Sequence, residues 1–213
     1  MIGFAFCHGW SFDAQAIAPL RQALLQRLPD AACASFDLGF HGAPQAPQLA
    51  QGIQWIALGH SYGFAWLLQQ PQSWHAAISL NGFTRFCRHP GHPEGTPVRL
   101  LQAMQAHLER DAQGTVRDFQ AHCGMPSAPP AVLDQALLQE HLGRLRDLNL
   151  ALPDCPILAL ATRADAIVPP ALTHACFAGA GTLQEFGGDH MQLLREPATA
   201  ADAIAAFIRN LHA

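Results

Sequence analysis

A chain of 213 residues and 23.0 kDa is long enough for one domain with a sizeable core, or one domain carrying a small insertion. Half of its residues are hydrophobic and 13% are charged, which excludes a long disordered chain. The formal charge of −4 argues against a nucleic-acid binder held by phosphate contacts, and no apolar run approaches the roughly 20 residues a membrane helix needs. Neither nucleic acid nor membrane is therefore expected as a partner, and a monomer is the working expectation. The segment Met1 to Cys7 lacks a basic leader, and polar His8 arrives too early for a signal peptide. Cys7, Cys33, Cys87, Cys123, Cys155 and Cys176 are spread singly with no CxxC pair, the pattern of reduced thiols. Cytoplasm is the compartment these features predict.

Taken in order, Ile2 to Cys7 is a compact apolar run that predicts a buried strand. Ile17, Leu20, Leu24, Leu25 and Leu28 then recur at helical spacing over residues 13 to 28. Ala31 to Asp37 is a second strand candidate. Residues 41 to 51, with two Pro and one Gly, predict a loop or at most a short helix. Gln54 to Leu58 is a third strand, running into Gly59-His60-Ser61-Tyr62-Gly63, and a helix is expected from Phe64 to Gln70. His75 to Leu80, Pro156 to Ala161 and Thr182 to Phe186 complete six strands, and Ala198 to Leu211 forms a last amphipathic helix. Strands alternating with helices predict a parallel sheet covered on both faces.

Residues 84 to 152 break the alternation. Val98, Leu101, Met104, Gln105 and Leu108 trace one helical stripe, and Leu133, Leu137, Leu138, Leu142, Leu145 and Leu148 another, with Pro126, Pro129 and Pro130 between them. This predicts a helical lid inserted between two strands. The remaining segments, 1–83 and 153–213, form the core.

The run Gly59-His60-Ser61-Tyr62-Gly63 is a G-x-S-x-G motif placed after a strand and before a helix. The glycines permit a tight turn that lifts a serine out at the strand's carboxyl end, the posture of a nucleophile. A serine hydroxyl needs a base, and the base an orienting acid, in the chain order Ser, acid, His. Among twelve histidines, position selects His190, directly after the last strand in Gly187-Gly188-Asp189-His190. Asp165, after the fifth strand, is the acid. Asp189 adjoins His190, and sequence neighbours point apart, so it reads as a loop former; Asn81 occupies the other place an acid can stand but carries no charge. The oxyanion donors are expected to be the backbone N–H groups of Tyr62 and of Trp10, in the loop His8-Gly9-Trp10-Ser11 after the first strand. The cluster Cys87, His89, His92 lacks a fourth partner for zinc, and no G-x-G-x-x-G or P-loop occurs, so no metal and no cofactor is expected.

With these residues assembled, the chain resembles the α/β-hydrolase superfamily over almost its whole length. More narrowly, it is similar to the pimeloyl-[acyl-carrier protein] methyl ester carboxylesterases of biotin synthesis. His8-Gly9-Trp10 matches their oxyanion loop, Ser35 to Gly42 their second strand and its exit, and Gly95 to Phe119 their helical lid. The resemblance implies that Trp10, Phe119, Gln120, Ala121, His122 and Cys123 touch the acyl chain, with Tyr62 at the ester. It also implies that lid arginines meet an acidic carrier protein, for which Arg110, Arg117, Arg144 and Arg146 are the candidates. Only about five residues precede the His8 loop, so two strands common in that family are expected to be missing.

The expectation is thus a compact α/β-hydrolase fold of about six mainly parallel strands with an inserted helical lid. Its activity would be that of a serine carboxylesterase on an acyl-carrier-linked or small ester. The competing readings are a general short-acyl esterase, thioesterase or lactonase on the same residues, and a non-catalytic binding protein on a hydrolase scaffold.

Overall fold

The computed structural model describes residues 1–125 and 132–211. Pro126, Pro129 and Pro130, read as separators of the lid helices, lie outside the described residues. Six strands form one sheet: β1 (Ile2–Cys7), β2 (Ala32–Phe36), β3 (Gln54–His60), β4 (Ala76–Leu80), β5 (Ile157–Thr162) and β6 (Thr182–Phe186). Their order is β2-β1-β3-β4-β5-β6, and every neighbouring pair is parallel. Helices α1 (Ala14–Arg27), α2 (Tyr62–Leu68), α3 (Val98–Arg110), α4 (Ala112–His122), α5 (Gln135–Arg144), α6 (Pro170–Phe177), α7 (Gln192–Arg195) and α8 (Ala198–Leu211) connect and cover it.

Alternate side chains divide between two cores. Phe4, Phe6, Ile56, Leu58, Ile78, Leu80, Leu158 and Leu160 point toward α1, α7 and α8. Ala5, Cys7, Ala34, Phe36, Ala57, Ala77 and Ala159 face α2, α6 and the helices of the 84–152 insertion. The second face is lined by small residues in the central strands because α2 sits directly against them. The near-continuous apolar runs β3, β4 and β5 are what burial on both faces of a parallel sheet demands.

Several boundaries differ from the sequence reading, most by one or two residues. β3 continues two residues further, through His60, because its end pairs with β4 (Gly59 opposite Ser79, His60 opposite Leu80). The helix after it starts at Tyr62 rather than Phe64. The insertion has three described helices, since Asp111 ends α3 and caps α4, its Oδ1 accepting the Gly114 N–H at 2.8 Å. The stretch between β2 and β3 holds no helix; an isolated pairing of Asp37 with Gln45 folds it back instead. Short helices α6 and α7 carry too few apolar repeats to announce themselves by periodicity.

The chain runs from β1 outward to β2, then returns past β1 to β3. That reversal is a topological switch point, and it leaves a crevice beyond the carboxyl ends of β1 and β3. Gly9-Trp10 leaves one side of the crevice and Ser61 the other.

Candidate active site

Ser61 sits between β3 and α2 with φ 53° and ψ −125°. This backbone conformation is costly for a residue with a side chain, and it is held by its surroundings: the Ser61 N–H donates to the Leu80 carbonyl at 2.9 Å. A Cβ on Gly63 would strike the carbonyl oxygens of Cys7 and His8, and one on Gly59 would strike the backbone of Phe64. Both glycines of the motif are therefore required by the close packing of β1, the elbow and α2. Among the described residues, Ser11 and Asn81 are the other non-glycine residues with positive φ, at 64° and 48°. All three follow a strand at the same edge of the sheet, so backbone strain gathers around the crevice.

His190 follows β6 and is buried, as is Asp165, which follows β5. Its Nδ1 lies 2.6 Å from Asp165 Oδ2. A carboxylate only accepts, so Nδ1 carries the proton, and the unprotonated Nε2 is the nitrogen left to take a proton from a substrate or nucleophile. The other carboxylate oxygen accepts the Ile167 and Val168 N–H groups, each at 2.8 Å, which fixes Asp165 independently of the histidine.

The loop bearing His190 is tied down by side chains from three strand ends. Asn81 Nδ2 donates to the His190 carbonyl at 2.9 Å and to Thr162 Oγ1 at 2.9 Å, while its Oδ1 accepts the Thr162 N–H. Thr162 Oγ1 donates to the Asp189 carbonyl at 2.9 Å. His60 Nε2 is 3.0 Å from the same His190 carbonyl. A carbonyl only accepts, so Nε2 carries the proton; burial, reinforced by His190, pushes the His60 imidazole well below its ordinary range and keeps it neutral. Asn81 was noticed in the sequence only as a position lacking an acid, and His60 only as the variable letter of the motif. Their identities gave no sign of this duty, although the Asn81-Gly82 strand end did mark the place.

Asp189 turns away from the His190–Asp165 pair. It accepts the Met191 N–H and pairs with Arg195, its Oδ2 at 2.9 Å from Nη2. This is the loop-forming part the sequence assigned to it.

Trp10 and Tyr62 flank the crevice and are buried. Tyr62 is the first residue of α2, so its N–H has no partner one turn back in the helix. The Trp10 ring meets Phe119 of α4 edge-on, with centroids 4.9 Å apart, and Phe119 also reaches Phe12 at 6.5 Å. Gln120 is buried and donates from Nε2 to the Ser11 carbonyl at 2.6 Å. Phe119 and Gln120 of α4 are thus brought to the loop that follows β1. Ala121 and His122 are exposed, and His122 lines a groove of about 410 Å³ with Phe119, Met104 and His107. Cys123 is buried in the core with Leu158, Leu160 and Met191, and burial followed by the charges of Asp165 and Asp189 pushes its thiol strongly up, so it stays un-ionised.

Arg110, Arg117, Arg144 and Arg146 are all exposed. Arg117 pairs with Asp118 at 2.9 Å, and Arg144 with Glu140 one turn earlier in α5. The His89 and His92 rings are 6.2 Å apart in a tight loop, and among the described residues no group of three His, Cys, Asp or Glu could hold a metal ion. No described helix is long and apolar enough to cross a membrane.

No protein-family model matches the chain, and no curated protein does. Solved structures do. An esterase from Exiguobacterium antarcticum superposes with a TM-score of 0.80 at 14% identity, covering 98% of this chain and 92% of that one. A thermophilic esterase from Thermogutta terrifontis gives 0.71 at 16% identity, covering 100% and 91%. BioG from Haemophilus influenzae gives 0.63 at 18% identity, covering 91% and 90%. At such identities the likeness is one of architecture, and with the six-stranded parallel sheet and its strand order it shows that this chain has the α/β-hydrolase fold.

Proposed function

We propose that the chain is a serine carboxylesterase with Ser61 as nucleophile, His190 as base and Asp165 as its orienting acid. The observation that carries this reading is the strained Ser61 elbow at the switch point, in one crevice with the buried His190–Asp165 hydrogen bond of 2.6 Å. Ser61 Oγ attacks the ester carbonyl carbon while His190 Nε2 takes its proton. The carbonyl oxygen becomes an oxyanion, received by the Tyr62 and Trp10 N–H groups. The tetrahedral intermediate collapses with cleavage of the ester C–O bond, and the imidazolium returns the proton to the departing alcohol. Water, deprotonated by His190, then releases the acid and restores Ser61.

The physiological substrate we propose is the methyl ester of a pimeloyl group carried on acyl carrier protein. The sequence resemblance names it, and the lid's composition suits it. Residues 84–152 hold seven Arg and seven acidic residues, so five Arg and nine acidic residues remain elsewhere, and the lid is neutral on an acidic body. Arg110, Arg117, Arg144 and Arg146 would receive the carrier; exposed ion pairs such as Arg117–Asp118 hold too weakly to prevent exchange.

Ser61→Ala tests the mechanism. It is expected to abolish both ester turnover and labelling by a fluorophosphonate probe while the protein stays folded; retained turnover overturns it, and an unlabelled wild type favours a binding-only scaffold. Rescue of a biotin auxotroph lacking its pimeloyl methyl esterase tests the substrate. Ester turnover without rescue by the well-expressed protein leaves a general short-acyl esterase, thioesterase or lactonase.

A further inference from the structure

Both expected oxyanion donors have their side chains hydrogen-bonded to the same lid helix. The Trp10 indole Nε1 donates to the Leu138 carbonyl of α5 at 3.0 Å. The Tyr62 hydroxyl lies 3.0 Å from Nδ1 of His141, one turn further along α5. His141 is buried and packs edge-on against Tyr62 and Phe40, with centroids 5.5 and 5.3 Å apart. Burial, then the Arg144 charge, pushes its imidazole down to about 4, so it is neutral near pH 7. Burial also raises the Tyr62 phenol, against the pull of Arg144, so the hydroxyl keeps its proton. With phenol and imidazole both neutral, the hydroxyl donates and Nδ1 accepts. The foot of the same helix is anchored too, as the Asp134 N–H donates to the Phe40 carbonyl at 2.9 Å.

These bonds span 79 and 128 residues of sequence, and neither is needed to form a helix or a strand. Their effect is to fix the orientation of two side chains whose backbone N–H groups are the expected oxyanion donors. Trp10 and Tyr62 belong to different strand exits, β1 and β3, and α5 is a single rigid body that touches both. A displacement of α5 therefore moves one oxyanion donor relative to the other. Preorganised donors act only when held near their target geometry, so this coupling bears on the transition state more than on ground-state binding.

Resting on the hydrolase reading above, we propose that His141 is a positioning residue: through the Tyr62 hydroxyl, and with the Leu138 carbonyl on Trp10, helix α5 sets the oxyanion donors, so the lid is part of the catalytic geometry as well as a cover over the acyl site.

The test uses the full chain and a p-nitrophenyl ester of a short acid. His141→Leu removes the acceptor, Tyr62→Phe removes the donor, and both leave the ring volumes nearly filled. Each is expected to lower kcat about ten- to a hundredfold with KM within about threefold. The double variant is expected to be no worse than Tyr62→Phe alone, because both singles break the Tyr62–His141 bond and Tyr62→Phe also removes the hydroxyl's contact with Arg144. Inhibition by a trifluoromethyl ketone, whose adduct places an oxyanion in the hole, should weaken by a similar factor, while inhibition by the product acid stays unchanged. His141→Asn, whose Oδ1 can stand where Nδ1 stands, is expected to restore most of kcat. Tyr62→Phe is nearly isosteric and keeps the test alive if His141→Leu fails to fold. Undiminished kcat in folded single variants, additive losses in the double variant, or a change confined to KM overturns the inference while leaving the hydrolase reading intact. A wild type that neither turns over the ester nor labels with a fluorophosphonate overturns both.

Discussion

The sheet's carboxyl edge and the helical insertion are held together in different ways. At the sheet edge, Ser61 and Asp165 follow strands buried on both faces, while His190 follows the more exposed outer strand β6, and backbone groups grip the first two: the Leu80 carbonyl holds Ser61, and the Ile167 and Val168 N–H groups hold Asp165. The insertion is helical. Its helices bury only a few apolar residues each, Leu101 and Leu108 in α3, and Leu138 and Leu142 beside His141 in α5. It meets the rest of the chain through side chains buried in the shared core, Cys123 among them, and through contacts such as Trp10 with Phe119 and Leu138, Gln120 with Ser11, and His141 with Tyr62. The difference is one of means: backbone groups fix Ser61 and Asp165 at the sheet edge, whereas side chains from segments far apart in the chain tie the insertion to the loops beside them.

The contrast predicts a steep gradient of effects. Asp165→Asn should keep the fold but deprive His190 of its tautomer, lowering kcat about 10⁴-fold in ester-hydrolysis assays; a loss under tenfold would show that the sheet edge is less preorganised than its geometry implies. Gly63→Ala is expected to leave no stably folded protein, since its Cβ meets the carbonyls of Cys7 and His8, and soluble yield with circular dichroism checks this. Truncations compare the two regions directly. Leu160→Ala in β5 should cost about 3–5 kcal/mol in denaturant unfolding and Leu101→Ala in α3 about 2–3, because the partly exposed insertion can collapse around a void while the sheet cannot. Equal costs would place the insertion within the core's cooperative unit.

Acid should loosen the contact between the regions before the sheet itself. His141 titrates near 4 in the folded chain against 6.5 ordinarily, and His60 is lowered as well. The unfolded chain therefore binds more protons between those values, so stability is complete above about pH 7 and falls as pH drops from about 6.5 toward 4. Thermal unfolding from pH 7.5 to 4.5 should show a falling Tm, with a shallower slope in His141→Asn. The smallest effect belongs to the exposed arginines. Arg117→Ala should change stability by less than about 0.5 kcal/mol and leave turnover of a small ester untouched; its consequence should appear only with a carrier-linked substrate.

Much of the sheet-edge region was legible in the residues alone. Short runs of strand character marked all six strands, several of them stopping at Gly or Asn, and Gly59 and Gly63 around Ser61 carry a local mechanical meaning that needs no knowledge of distant segments. The order Ser61, Asp165, His190 followed from where strands end. The insertion was legible only in outline. Its stripes predicted helices, but the break at Asp111 depends on a capping carboxylate, and periodicity cannot show whether a face turns toward Trp10 or toward solvent. Ala121 was grouped with Phe119 by adjacency, yet a helix turns about 100° per residue and two steps carry it to the exposed face, while His122, three steps on, stays beside Phe119 in the groove of α3 and α4.

Sequence by itself thus determined what local stereochemistry can encode: the central strands through their double-sided apolar burial, the elbow through its glycines, and the positions of Ser61, Asp165 and His190 directly after strands. Tertiary structure alone decided what depends on segments far apart in the chain. It set His60 and Asn81 on the His190 carbonyl, sent Asp189 to Arg195 while Asp165 met His190, and laid α5 against both Trp10 and Tyr62. The physical reason is directional. Hydrophobic periodicity says only that a side chain is buried, whereas a hydrogen bond between residues a hundred positions apart exists only once the packing of whole elements has fixed where each donor points.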